Sequence, residues 1–233
     1  MPRPPRATTC VLHHITSRGN NRRSIYEDAG DRERFYGILA AALAGTTLLC
    51  HQDVLMGNHY HMVLEGPIEE VSALMWAVNH RYAVAYNARH ERINHLFGKR
   101  FHCSPIADLR GARAVAVYVA LNPVRAGFVD HPAHWPYGSY RAEDGTEPRR
   151  AHLSSGYMAR IFGRGQTLAD ACMRALDAHA GARPSLSELL PPRAEVTRRH
   201  VREAIGIFGY THGEIAGHYG VTTRSLRRWL AGW

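Results

Sequence analysis

Three observations predict an α+β fold. Between Thr9 and Leu121 the chain alternates short segments of β composition with longer segments of helical spacing. Asp53-Val54-Leu55 and Met62-Val63-Leu64 flank a Gly57-Asn58 turn signal, the mark of a β-hairpin. Past Tyr140 the character changes to helical segments separated by Pro and Gly.

The elements follow in order. Thr9–Ser17 alternates and reads as a strand, and Arg18–Arg23 is a polar, Gly/Asn-rich loop. Asp31–Ala44 is helical, and Thr47–Leu55 with His59–Leu64 form the hairpin. Val71–His90 is a long helix, with Leu74, Val78, Tyr82, Ala85 and Tyr86 near helical spacing. Arg100–Leu109 is a further strand and Arg113–Leu121 a helix. Asn122-Pro123 supplies its stop, because the residue before a proline is pushed out of the helical region. Strand–helix–strand–strand–helix–strand is the ferredoxin-like (RRM-like) order, an antiparallel sheet with helices on one face. The His59 strand becomes central, and the sheet's second face is left open.

Glu143–Arg150 is a polar break, residues 151–180 look helical, and Gly181–Pro192 reads as a linker. In Glu195–Trp233, the run from Thr211 to Leu230 has helix-turn-helix spacing. Thr211 caps its first helix, Gly220 makes the turn, and Thr222 or Thr223 caps a recognition helix whose Arg224, Arg227 and Arg228 are candidate DNA contacts. An ordinary helical hairpin with a solvated basic face fits the same residues. The organisation expected is therefore a domain at 1–142, a helical extension and linker at 143–192, and an all-helical helix-turn-helix-like module at 193–233.

The chain has 233 residues and a formal net charge of +9, which favours a polyanionic partner, nucleic acid above all. Lys99 is the only lysine. Arginine suits bidentate phosphate contacts, but a GC-rich genome produces the same bias. Cys10, Cys50, Cys103 and Cys172 lie far apart, as reduced thiols in a cytoplasmic protein do. No run of apolar residues is long enough to span a membrane, and the Pro/Arg-rich start lacks the apolar core of a signal peptide.

Two short motifs carry the chemistry. In Gly57-Asn58-His59-Tyr60-His61-Met62-Val63-Leu64, His59 and His61 fall on one face of a strand, their Cα atoms roughly 6–7 Å apart. Two imidazoles so spaced can converge on one ion; an exposed strand face in a chain with 16 histidines is the alternative. Tyr60 and Met62 point to the opposite, buried face. In the second motif, Tyr118 to Gly127, Tyr118 and Asn122 are four apart on one helical face. Taken one at a time, a packing tyrosine and a helix-ending asparagine account for them more readily than catalysis does. Tyr82, Tyr86, Phe97 and Phe101 are candidate stacking surfaces or core residues.

Together these segments resemble the single-tyrosine HUH transposases, and among them the REP-associated tyrosine transposases. The resemblance runs from about Cys10 to Tyr140. It rests on His13–Arg22, Asp31–Phe35, Met56–His61, His95–Phe101 and the Asn-Pro-Val-Arg-Ala-Gly segment at 122–127. Tyr60 fills the middle HUH position, often described as aliphatic. The resemblance implies that His59 and His61 are metal ligands, Tyr118 the nucleophile and Asn122 the third ligand. It implies Mg²⁺ or Mn²⁺, although imidazoles also accept Zn²⁺ or Ni²⁺. It implies single-stranded or hairpin DNA as substrate, often a repeated extragenic palindrome. Cleavage would form a 5′-phosphotyrosine and strand transfer would reverse it, in a cytoplasmic, nucleoid-associated monomer or homodimer. Arg18, Arg22, Arg81 and Arg100 become candidate phosphate contacts, and Asn20, Asn21 and the basic N-terminus candidate base readers. A DNA-binding regulator without catalysis and a metal-dependent nuclease using water stay open as alternatives.

Overall fold

The computed structural model describes residues 12–163, 165–182, 186–197, 200, 201, 204 and 210–231. The start of the first strand, Cys10, the basic N-terminus and Pro184 of the expected linker lie outside the described residues. The described chain divides into two compact units, residues 1–120 with 136–168, and residues 121–135 with 169–233. Boundaries at 142 and 192 do not coincide with this division.

In the first unit, β1 (Leu12–Arg18), β2 (Leu49–Leu55), β3 (His59–Glu65) and β4 (His102–Pro105) form one antiparallel sheet in the order β2-β3-β1-β4. The ferredoxin-like order is thus present, with β3 and β1 central. Helices α1 (Ala29–Leu43) and α2 (Ile68–Arg89) pack on one face. Asp28 caps α1 by accepting from Asp31 N–H, which starts the helix two residues before the expected position. Ile15, Tyr60, Met62 and Leu64 point from the sheet into a core with Phe35, Leu39, Val71, Val78, Tyr82 and Tyr86.

The second face is open only in part. It carries α3 (Leu109–Arg125), and Gln52 Nε2 donates to Ala116 O of that helix at 2.9 Å. Two expected boundaries change here. The fourth strand is only His102–Pro105: Ile106 N–H still donates to Leu12 O at 2.9 Å, and Asp108 Oδ1 then accepts from Gly111 N–H to begin α3. The helix also runs through Asn122-Pro123 to Arg125. Gly127 is the true stop: at φ +66° it lets its N–H reach Val124 O and Phe128 N–H reach Pro123 O, the paired bonds of a Schellman end. The proline costs one internal bond close to the end of the helix, where little remains to disrupt.

The edge strand β2 is covered by the chain that follows. Leu55 N–H donates to Tyr137 O, Ser139 N–H to Asp53 O and Ser154 N–H to Cys50 O. A bare edge invites pairing with another chain, so residues 137–154 belong to this body instead of forming a free extension. The stretch read as helical at 151–180 is broken at Gly163 into α5 (Tyr157–Phe162) and α6 (Leu168–Ala182), after the single turn α4 (Tyr140–Glu143).

The second unit includes α7 (Leu186–Leu189), inside the expected linker, and the helices α8 (His212–His218) and α9 (Thr223–Ala231). Thr211 and Glu214 exchange bonds as a capping box on α8. Gly220 turns the chain at φ +63°, and Thr222 Oγ1 accepts Ser225 N–H at the start of α9. Val201, Tyr210, Ile215, Ala216 and Leu226 form the unit's small core.

Candidate functional site

The site is built from the polar half of the sheet's alternation. Strand side chains alternate between faces, and register sets Thr16 opposite His61, Arg18 opposite His59 and His102 opposite Thr16. The face opposite the core therefore carries His14, Thr16 and Arg18 from β1, His59 and His61 from β3, and His102 and Ser104 from β4. Tyr118 reaches this face from α3. Its ring stands edge-on to His61 at 5.4 Å and to His14 at 5.8 Å. The tyrosine is 38 % exposed, so its surroundings hold the ring while leaving it accessible.

Hydrogen bonds hold both HUH imidazoles by Nδ1 and set the tautomer of His59. Asn58 Nδ2 donates to Arg22 O at 2.8 Å, which fixes the amide's orientation. Its Oδ1, an acceptor only, then takes the Nδ1–H of His59 at 2.8 Å and leaves Nε2 as that ring's lone-pair nitrogen. His61 Nδ1 meets His14 Nε2 at 3.0 Å and Thr16 Oγ1 at 3.1 Å. His61 Nε2 is buried and makes no hydrogen bond among the described residues. Burial, then His59, His14 and Arg18, push the His61 pKa down to about 2, so the ring is neutral. Burial, then His102, lower that of His14.

A neutral imidazole held by its Nδ1 can present Nε2 to a metal, and among the described residues His61 Nε2 has no hydrogen bond. The rings of His59 and His61 stand 5.0 Å apart and nearly perpendicular, and imidazole is a ligand type that divalent transition metals accept. Among the described residues no group of three His, Cys, Asp or Glu is arranged for a metal. Further ligands would be an amide, water or a substrate oxygen.

A groove of about 1050 Å³ opens beside these residues, lined by His14, His61 and Tyr118 and by Arg18, Asn20, Asn21, Arg22, Lys99 and Arg100. Gly19 makes its rim possible: a Cβ there would sit 2.3 Å from Arg23 O. The loop is stitched down by Gly19 N–H to Asn58 O, Asn20 N–H to Leu96 O, and Gly98 N–H to Arg18 O. Asn21 and Arg22 adopt positive φ there, an unfavourable backbone for arginine.

The structure brings His61, Tyr118, Arg18, Asn20, Asn21, Arg22 and Arg100 to one groove, with His59 beside His61. Asn122 is buried one turn beyond Tyr118 in α3, at the start of the chain's second unit. Arg81 is elsewhere: it lines a hollow with Ala41, Gly45 and Thr46 of the helical layer. Arg224 and Arg228 are exposed on α9, whereas Arg227 donates to Ala126 O and Gly127 O at 2.9 and 3.0 Å. The stacking candidates are mostly core. Tyr82 donates to Ile25 O, Tyr86 donates to Glu27, Phe101 is buried and Phe97 packs against the same cluster. Sequence reasoning passed over His14, Thr16, His102 and Lys99 as site residues. The alternation His14-x-Thr16-x-Arg18 was the available signal, but it needs the register with β3 to say which face it shares.

No protein-family model matches the chain, and comparison with curated proteins gives no match. Among solved structures it is similar to a REP-associated tyrosine transposase bound to a REP hairpin. That likeness has 15 % identity and a TM-score of 0.55, over 67 % of this chain and 93 % of the other. It is also similar to a candidate transposase from Deinococcus radiodurans R1, with 16 % identity and a TM-score of 0.36, over 49 % of this chain and 93 % of the other. A score that low carries no argument. The first likeness shows the fold: the chain has a transposase-like architecture, a four-stranded antiparallel sheet with helices.

Proposed function

We propose that the chain is a REP-associated, single-tyrosine HUH transposase that cleaves and rejoins single-stranded DNA, with a hairpin as its target. The observation that carries this reading is the placement of Tyr118 edge-on to His61 within an arginine-lined groove. Arg18, Arg22 and Arg100 bind the phosphates of the strand, and Asn20 and Asn21 contact its bases. The Tyr118 oxygen attacks phosphorus, forming a phosphotyrosine linkage to the 5′ side. The bond to the 3′ oxygen breaks, and that oxygen leaves as a hydroxyl with the proton the phenol gave up. Attack by another 3′-hydroxyl reverses the step and joins strands. His59 and His61, with Asn122 as the proposed third ligand, would hold Mg²⁺ or Mn²⁺. Such an ion, when bound, polarises a non-bridging oxygen of the scissile phosphate. His14 and Thr16 hold His61 in orientation through its Nδ1.

The test is incubation of the full chain with a hairpin oligonucleotide and Mn²⁺, followed by a denaturing gel and peptide mapping of any adduct. A covalent complex on Tyr118, absent in Tyr118→Phe, is expected. Cleavage without an adduct would favour the water-using nuclease. Specific binding with no cleavage would favour the regulator.

A further inference from the structure

The groove of Tyr118 has a neighbour that the functional reading does not use. Trp76, His80 and Val84 recur every four residues along α2, and all three are exposed, Trp76 at 70 %. Scattered exposed apolar residues are ordinary, but this tryptophan is ordered by its neighbour. Its ring stacks on His80 with centroids 5.4 Å apart and planes 4° from parallel. The pair lines a hollow of about 780 Å³, and His95, Lys99 and Arg100 line it too. Lys99 and Arg100 also line the Tyr118 groove, so the two hollows share a basic rim. No Asp or Glu is among the described residues lining this second hollow.

We propose that this hollow is a second binding tract for single-stranded nucleic acid, continuous with the Tyr118 groove. A base stacks on the Trp76–His80 pair, while Lys99 and Arg100 neutralise the phosphates between the two hollows. The inference rests on the reading of the groove as a DNA site. A flat π face beside cations, with no carboxylate, matches a ligand whose every unit carries a flat base and a negative phosphate. A protein partner would use the apolar surface and leave the two cations without a counter-charge. The fold keeps the platform rigid: α2 is anchored by buried Met75 and Val78 next to Trp76, so little order has to be gained on binding.

The experiment measures fluorescence anisotropy of the full chain with labelled thymidine oligonucleotides of about 4 and about 16 nucleotides, the range one such surface accommodates. Trp76→Ala should weaken the longer strand roughly 5- to 150-fold, the range that loss of one stacked base produces, and leave the shorter one unchanged. Trp76→Phe, which keeps an aromatic face, should stay within about 3-fold of the unaltered chain. Equal loss for both lengths, or none for either, overturns the second tract and leaves Tyr118 chemistry standing. Unchanged binding of both strands together with a lower sedimentation mass for Trp76→Ala would assign the surface to a second copy of the chain instead. Absence of any binding by the unaltered chain sinks the DNA reading of the groove and this inference with it.

Discussion

The two faces of β3 divide the chain's tasks between them. Tyr60, Met62 and Leu64 point into the core, fully buried among aromatic and aliphatic neighbours. His59 and His61 point the other way, where His61 is nearly as buried yet has a ring nitrogen with no hydrogen bond. Burial is similar and satisfaction is not. A second contrast lies along the same polar face. His51 has both nitrogens engaged, Nδ1 with Ser154 Oγ at 2.5 Å and Nε2 with Glu65 at 2.6 Å. His51 is a structural histidine and His61 an incomplete one. Buried polar groups are ordinarily paired, and among the described residues the His61 nitrogen is one of the few that are not.

The largest effects come from exchanging adjacent residues of β3. His61→Ala should abolish cleavage, by roughly 10³-fold or more if the ring holds the activating cation. Its unfolding free energy should fall by less than about 2 kcal/mol, because the change also removes an unsatisfied buried nitrogen. Met62→Ala should do the reverse, costing about 2–5 kcal/mol of stability through lost burial and a cavity. Its folded fraction should still form the adduct. Urea unfolding beside single-turnover cleavage checks both. Equal stability losses, or wild-type cleavage by His61→Ala, would erase the distinction between the faces.

Much of this division was legible in the sequence. The hairpin at Gly57-Asn58 and the alternation through His59–Leu64 fixed which residues share a face. The central place of β3 followed from the order of elements. The end of α3 was not legible. Asn122-Pro123 is a sound local stop signal, but Gly127 closes a better set of bonds one turn later. How far the second face stays open was not legible either. Whether α3 packs there depends on contacts such as Gln52 to Ala116, 64 residues apart in the chain. Arg81 shared its residue type with Arg18 and Arg100, and only the three-dimensional helix orientation separates it from their groove.

The His51 side of the contrast is sharpened by pH. Burial lowers the His51 pKa and its bond to Glu65 opposes this. Burial acts to raise that of Glu65, but bonds from Arg160 and His51 outweigh it and hold the carboxyl below its usual 4.5. Both groups therefore bind protons more readily in the unfolded chain. Their contribution to stability is present at neutral pH and is lost on acidification, from about 6.5 downward for His51 and from about 4.5 downward for Glu65. Glu65→Gln should cost about 1 kcal/mol at pH 7, a modest figure because Arg160 is half exposed and the pair is screened. The difference from the unaltered chain should shrink as pH falls below the usual carboxylate value and vanish once Glu65 is protonated in the folded chain. Chemical denaturation across that range checks it, and a cost independent of pH would deny Glu65 this role.

The smallest effects separate three arginines that the sequence treats alike. Arg227 donates to Ala126 O and Gly127 O, carbonyls at the end of α3, and its guanidinium lies 4.8 Å above the Phe128 ring. Carbonyls at a helix end lack intrahelical donors, and a cation there also complements the helix dipole. Arg224 and Arg228 are exposed on α9. Arg227→Ala should therefore cost about 1 kcal/mol of stability, less than a fully buried charged hydrogen bond. Arg224→Ala should stay within about 0.5 kcal/mol of the unaltered chain. If α9 meets DNA, Arg224→Ala should instead weaken binding uniformly across sequences and lower the salt-dependence slope by about 1. Titration of a hairpin at several salt concentrations, beside thermal unfolding, reads both quantities. A lower slope for Arg227→Ala with stability intact, and none for Arg224→Ala, would reverse the assignment and make the residue at the helix end the one that meets phosphate.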